Sequence, residues 1–190
     1  MDCDPCYSQR LDRALELAAR SFRHIRRKGT DIPYLSHLLA VMVTVAEHGG
    51  DEDQLIAAVL HDYLEDIEES SHAYLVEHFG ATVAELVAGL SDTDIRPKPP
   101  WKERKQRYLE HLRTSSPTLK LISASDKLHN ARSIRRDLRL VGAAVWERFS
   151  GTREQTLWYY SSLVEVLGNG WNSPVLDELR AEVEALVAEA

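Results

Sequence analysis

Nearly every segment of this chain repeats its apolar residues at the helical period, and none alternates convincingly as a strand would. That pattern predicts helices and little else. Leu11, Leu15, Ala18, Ala19 and Phe22 mark one face of a first helix from about Ser8 to Arg27. Gly29-Thr30-Asp31-Ile32-Pro33 reads as a loop, and a second helix covers Tyr34 to Glu47 before Gly49-Gly50 ends it. Asp51 and Gln54 have capping-box spacing ahead of a third helix that runs through Leu55 to Asp66. Ser70 or Ser71 caps a fourth, which stops at Gly80, and a fifth spans Ala81 to Leu90. The prolines between Ser91 and Pro100 remove donors and restrict their predecessors, so this stretch is a loop near the surface. A charged helix follows from Trp101 to Arg113. Ser116 and Pro117 then start one that contains Leu119 through Arg132. A short helix is expected from Ala143 to Phe149, another from Arg153 to Leu167, and a last from Ser173-Pro174 to about Val187.

Each of these helices has one apolar side and needs a neighbour to cover it. With 190 residues the chain can bury a sizeable core as one domain. The expectation is all-α: one bundle of about eight to ten helices over residues 1–190, with 1–7 flexible and 171–190 packing as a C-terminal helix. Trp146, Trp158, Tyr159 and Tyr160 are expected in the core, and His48, His72, His78 and His111 at the surface or helix ends.

Composition removes several functions. At 44% hydrophobic and 28% charged residues the chain is of soluble, globular type, and no apolar run is long enough to span a bilayer. The N-terminus lacks the basic and then apolar regions of a signal peptide, so a cytoplasmic location is the expectation. A net charge of −7 argues against nucleic acid as a partner. Positive charge is nonetheless grouped at Arg20, Arg23, Arg26, Arg27 and Lys28, which suits a small polyanion. The second group, Arg132, Arg135, Arg136 and Arg139, is expected to be a salt-bridged face. Cys3 and Cys6 lack the further ligands or fold that a zinc or redox C-x-x-C needs, and no role is assigned to them.

The third helix ends in His61, Asp62, Glu65 and Asp66. At about 100° per residue these span roughly 140° of one continuous helix. Carboxylates and an imidazole so close together repel one another and are costly to desolvate, which a divalent cation would relieve. His37, early in the second helix, and Asp126, after the apolar Leu121-Ile122, are further ligand candidates. Two imidazoles and two carboxylates suit manganese, iron or zinc better than calcium.

The ordered set His37, His61-Asp62 and Asp126 resembles the HD-domain metal-dependent phosphohydrolases. The flanking Arg27-Lys28-Gly29, Pro33-Tyr34, Ala57-Ala58-Val59-Leu60, Glu65-Asp66, His78-Phe79-Gly80 and Ser125-Asp126-Lys127-Leu128-His129-Asn130 narrow this further. They resemble the hydrolase domain of RelA/SpoT proteins and the stand-alone small alarmone hydrolases, over about Phe22 to Leu163. The resemblance is to a hydrolase-only form. It implies an HD-domain helical bundle that removes the 3′-pyrophosphate from (p)ppGpp, giving GDP or GTP and pyrophosphate. It further implies His37, His61, Asp62 and Asp126 as ligands to a divalent metal, most often manganese. Glu65 and Asp66 would orient and deprotonate the attacking water. Arg27 and Lys28 would hold the guanine side, Asn130 the sugar region and Lys98 a phosphate. Two departures from the family pattern stand out. Phe22-Arg23-His24-Ile25-Arg26 precedes Arg27-Lys28 where relatives often carry a His and a Gly-Gln, and Leu38 follows His37 where a Pro is common. Two other functions fit the same residues: a phosphohydrolase for a different nucleotide such as NADPH, and a non-catalytic metal- or nucleotide-binding module. Intact Glu65-Asp66 argues against the last.

Overall fold

The computed structural model describes residues 6–93 and 97–190. Cys3 and most of the segment expected to be flexible lie outside the described residues, and Cys6 is exposed and unbonded to another cysteine. The chain divides into two compact units, Met1–Ser91 and Asp92–Ala190. Among the described residues both are helical, as an HD-domain bundle requires, and the sole extended pairing is an isolated bridge between Arg26 and Pro33.

The first unit contains α1 (Gln9–Ser21), α2 (Leu35–Glu47), α3 (Glu52–Val59), α4 (Tyr63–Asp66), α5 (His72–Phe79) and α6 (Ala81–Leu90). Ser8 caps α1 through the Arg10 N–H, and its own N–H and hydroxyl donate to Glu52 at 2.8 Å, tying the start of α1 to α3. The first helix is shorter than the periodicity predicts. It stops at Ser21, Phe22 turns into the core, Leu15 is half-buried and Ala19 is exposed. The reason is tertiary. Residues 25–27 pair with 32–34, through Tyr34 N–H to Ile25 O and Arg27 N–H to Ile32 O, both 2.9 Å. Gly29 supplies the positive φ of 68° that the intervening turn demands. Arg27 and Lys28 therefore sit on a small two-stranded loop, not at a helix C-terminus. Leu38, Val41 and Val45 of α2 and Ile56 of α3 are fully buried, as are Leu75 of α5 and Val83 and Val87 of α6.

The predicted continuous helix through Asp66 is interrupted. Asp51 and Gln54 form the expected capping box, at 2.9 and 3.0 Å, but α3 ends at Val59 and α4 begins at Tyr63. His61 Nδ1 lies 2.7 Å from the Ala58 carbonyl oxygen, the acceptor that the residue-62 N–H would use in an unbroken helix. The imidazole thereby satisfies a terminal carbonyl of α3, as histidines at helix ends do.

The second unit contains α7 (Trp101–Thr114), α8 (Pro117–Val141), a 3₁₀ helix (Gly142–Arg148), α9 (Arg153–Leu167) and α10 (Pro174–Glu189). Pro117 opens α8 at its first turn with Ser116 as cap, and the helix continues to Gly142, whose φ of 62° ends it. The expected short α-helix after it is the 3₁₀ segment. Tyr159 and Tyr160 are buried as expected, whereas Trp146 is half-buried and Trp158 is exposed. The arginines of α8 face α10: Arg132 meets Glu178 at 2.9 Å, Arg135 meets Glu182 at 2.8 Å and Arg139 meets Glu189 at 2.6 Å. The salt-bridged reading of that group holds. Buried Lys120 donates to the Asn169 carbonyl at 2.7 Å and, at 3.4 Å, to that of Leu167, the last residue of α9. Arg104 of α7 holds both stems of the proline-rich loop. Its Nη1 takes the Asp92 carboxylate at 2.6 and 2.5 Å, and its Nε donates to the Pro99 carbonyl at 3.1 Å. Lys105 adds a third contact to Asp92 at 2.6 Å and lies 4.9 Å from the centroid of the Tyr159 ring.

Candidate active site

In the first unit the helix break, the start of α2 and the 25–34 loop bring their side chains together. A carbonyl oxygen only accepts, so His61 Nδ1 carries the proton it shares with Ala58. The other ring nitrogen, Nε2, faces Asp62 Oδ2 at 2.9 Å. His37 is buried on the first turn of α2 and presents Nε2 to the same oxygen at 3.8 Å, its ring 5.1 Å from that of His61 and nearly perpendicular to it. Tyr34 donates its hydroxyl to Asp62 Oδ2 at 2.6 Å. Glu65 and Asp66 lie on α4, half-buried and exposed respectively, with the Asp66 N–H on the Asp62 carbonyl.

This donor set fits a divalent ion. Two ligands bound at about 2.1 Å and at right angles are about 3 Å apart, which is the separation of His61 Nε2 and Asp62 Oδ2. A histidine whose far nitrogen is fixed by a backbone carbonyl is the usual arrangement around a bound metal.

Also in the first unit, Arg27 is half-buried with its guanidinium 5.5 Å from the centroid of the Tyr34 ring, while Lys28 is exposed. Arg26 is engaged by Asp31. Of the histidines read as peripheral, His48 bonds the Thr44 carbonyl at the end of α2, and His78 stacks on Tyr74.

In the second unit Asp126 is buried on α8 among its own neighbours. Asn130, one turn on, donates to Oδ1, and Lys127 pairs with Oδ2. Burial works against the Lys127 ammonium, but Asp126, Tyr159 and Tyr108 outweigh it and hold its pKa well above the usual lysine value. Burial likewise pushes the Tyr108 phenol up, beside its 3.0 Å bond to Ser123. Asn130, which the resemblance places at a sugar, thus also holds a candidate ligand. Lys98 lies exposed on the loop before α7, and Asp94, Ile95 and Arg96 beside it lie outside the described residues.

Tyr34, Lys127 and Asp92 were passed over as separate residues by sequence reasoning. Tyr34 left a signal, since it precedes His37 by three positions and so shares its helical face. Lys127 is adjacent to Asp126, but its direction is set by packing, and Asp92 sits in a stretch that reads only as loop.

Residues 14–156 match the model of the HD domain. The chain belongs to the HD-domain family. Within that family it is similar to the human guanosine-3′,5′-bis(diphosphate) 3′-pyrophosphohydrolase MESH1, 36% identical over 126 residues that make up 65% of this chain and 68% of the relative. The zebrafish (Danio rerio) protein of the same name is 32% identical over 163 residues, 85% of this chain and 83% of its own. The bifunctional (p)ppGpp synthase/hydrolase SpoT of Escherichia coli (strain K12) is 29% identical over 180 residues, 92% of this chain but 23% of the longer protein. A solved structure described as a metazoan ortholog of SpoT that hydrolyzes ppGpp and plays a role in starvation responses matches with a TM-score of 0.78 at 28% identity. The match covers 96% of this chain and 97% of that one.

Proposed function

We propose that the chain is a metal-dependent phosphohydrolase that removes the 3′-pyrophosphate of guanosine-3′,5′-bis(diphosphate), and of its pentaphosphate counterpart, to give GDP or GTP and pyrophosphate. The observation that carries this reading is the meeting of His37, His61 and Asp62 at an interrupted helix, in a chain nearly coextensive with a protein described as hydrolyzing ppGpp. We assign His37, His61, Asp62 and Asp126 as the ligands of the metal ion, an assignment supported by the two imidazoles and the carboxylate that meet in the first unit. Manganese is the ion this mixed nitrogen and oxygen set suits, with iron or zinc as substitutes. When bound, such an ion lowers the pKa of water and neutralises phosphoryl oxygens.

The chain's own residues do the rest. Glu65 and Asp66 sit within one turn of Asp62 and take the proton of the attacking water. Water supplies an oxygen to the departing pyrophosphate as the bond between the 3′-oxygen and phosphorus breaks, and that 3′-oxygen takes up a proton. Arg27 offers a flat cation to the guanine side, and Lys28 and Lys98 offer point charges to phosphates. Asn130 keeps Asp126 in place while its face toward the sugar serves the nucleotide.

The deciding experiment is manganese-loaded protein assayed against a nucleotide panel that includes ppGpp and NADPH, with products identified. Release of pyrophosphate and GDP from ppGpp at the highest kcat/KM supports the reading. Preference for NADPH, or no turnover of any nucleotide, overturns it. Metal analysis of His61→Ala should show lost occupancy and a lower melting temperature, since metal binding couples to folding.

A further inference from the structure

Tyr34 touches both halves of the first unit's site, and each contact uses a different part of the side chain. Its hydroxyl donates to Asp62 Oδ2 at 2.6 Å, within the range of a bond to an ionised carboxylate. Its ring lies under the Arg27 guanidinium at 5.5 Å. The ring is not free to drift. It stacks on buried Phe22 at 5.4 Å with planes 13° apart, and it meets the His37 ring edge-on at 5.4 Å. The backbone is fixed as well. The Tyr34 N–H bonds Ile25 O, the Arg27 N–H bonds Ile32 O, and this two-stranded pairing sets Arg27 diagonally from Tyr34 on the same side of the ladder.

We propose that Tyr34 is a positioning residue with two separable duties: its hydroxyl orients the Asp62 carboxylate for the metal, and its ring holds Arg27 in place for the nucleotide. The proposal rests on the function given above. An Asp62 carboxylate has two oxygens and free rotation about its last bond. A donor on Oδ2, the oxygen that also faces His37 and His61, selects one rotamer. Partners of this kind typically account for about 10–100-fold in metal affinity or activity. An arginine on a short loop has many rotamers, and a ring beneath the guanidinium removes most of them before substrate arrives.

The two duties separate by substitution. Tyr34→Phe keeps the ring, the Phe22 stack and the Arg27 contact and deletes only the hydroxyl. Tyr34→Leu deletes both. Manganese affinity of the metal-free protein is read by calorimetry, with KM and kcat for ppGpp measured at saturating manganese. For Tyr34→Phe we expect manganese affinity to fall about tenfold or more, with an unchanged KM and an unchanged melting temperature of the metal-free protein. For Tyr34→Leu we expect the same loss of affinity plus a rise in KM that matches Arg27→Ala and is not increased further in the double variant. Wild-type manganese affinity in Tyr34→Phe overturns the proposal. So does a KM that rises equally in Phe and Leu variants, or a melting temperature that collapses in Tyr34→Phe. Calorimetry needs no turnover, so a wild-type protein inactive on ppGpp would sink the proposed function while the metal half of the inference was still decided.

Discussion

Asp92→Asn isolates a buried charge cluster outside the candidate metal ligands. The Asp92 side chain is 4% exposed and receives three charged contacts: two from Arg104 Nη1 at 2.6 and 2.5 Å and one from Lys105 Nζ at 2.6 Å. Burial alone would raise its pKa, but Lys105 and Arg104 outweigh burial and hold the carboxyl below its ordinary value. Asparagine keeps one acceptor and turns an amide N–H₂ toward a cation, so at least one charge-assisted bond, worth about 1.5–3 kcal/mol, is lost and the rest weaken. Removing one partner of a buried pair costs about 3–5 kcal/mol. Arg104 keeps the Pro99 carbonyl and Lys105 keeps the Tyr159 ring, and their side chains remain 11% and 19% exposed, so water reaches the orphaned cations. That places the expected loss at the lower end, about 3 kcal/mol, or a fall of about 6–12 °C in Tm for a chain of this size. The sign with pH follows from the lowered pKa. The carboxylate's contribution is complete above its unfolded value and is lost as pH falls through the folded one, so wild type and variant should converge below about pH 4. Urea melts from pH 7 down to pH 2 measure this. A loss under about 1 kcal/mol at pH 7, or a gap that persists undiminished at pH 2, would refute the reasoning.

Three further outcomes follow from geometry already described. Glu65→Gln and Asp66→Asn should retain metal and fold while kcat falls far more than KM rises, because the role proposed for them, activating water, belongs to the transition state; metal loss in both would make them ligands instead. Arg27→Ala should raise KM for ppGpp and leave a small chromogenic phosphate ester nearly unaffected, since the ester offers no base to the guanidinium; equal losses on both would place Arg27 in the fold alone. Lys120→Met should lose about 1–3 kcal/mol by leaving the Leu167 and Asn169 carbonyls short of a donor. Burial lowers the Lys120 pKa, so wild-type stability gains from this group as pH rises through the folded value toward the unfolded one. Denaturant melts of wild type and variant between pH 7 and pH 10 would show that gain in the wild type only.

Where punctuation is local, the chain's sequence places its elements to the residue. Gly80 and Ser91 bracket α6, Thr152 with Gln155 opens α9, and Ser116-Pro117 opens α8, each through a bond or conformation confined to a few neighbours. The interruption at His61 is not of that kind. No glycine or proline marks it, and the stretch from Leu55 to Asp66 keeps a helical period throughout. The break depends on one imidazole turning inward to the Ala58 carbonyl. The end of α1 is equally silent, because it is set by the pairing of residues 25–27 with 32–34 and by the burial of Phe22. The candidate ligands His37, His61, Asp62 and Asp126 were legible because residue type and order carry them. The contacts of Tyr34 with Asp62, and of Asp92 with Arg104 and Lys105, span 28, 12 and 13 positions, and no short-range pattern encodes such pairings.

The double grip of Arg104 separates two properties that usually change together. With Asp92 at one end and Pro99 at the other fixed to a single guanidinium, the residues between them can vary in number and kind without moving α7. Doubling the length of such a closed loop costs only about 0.6 kcal/mol. Lys98 sits inside that span. A lineage could therefore lengthen, shorten or re-charge the segment and try new phosphate-bearing substrates while the bundle stays intact. Across descendants of this fold, drift in substrate range should concentrate between the two anchors, with the anchors themselves inherited unchanged.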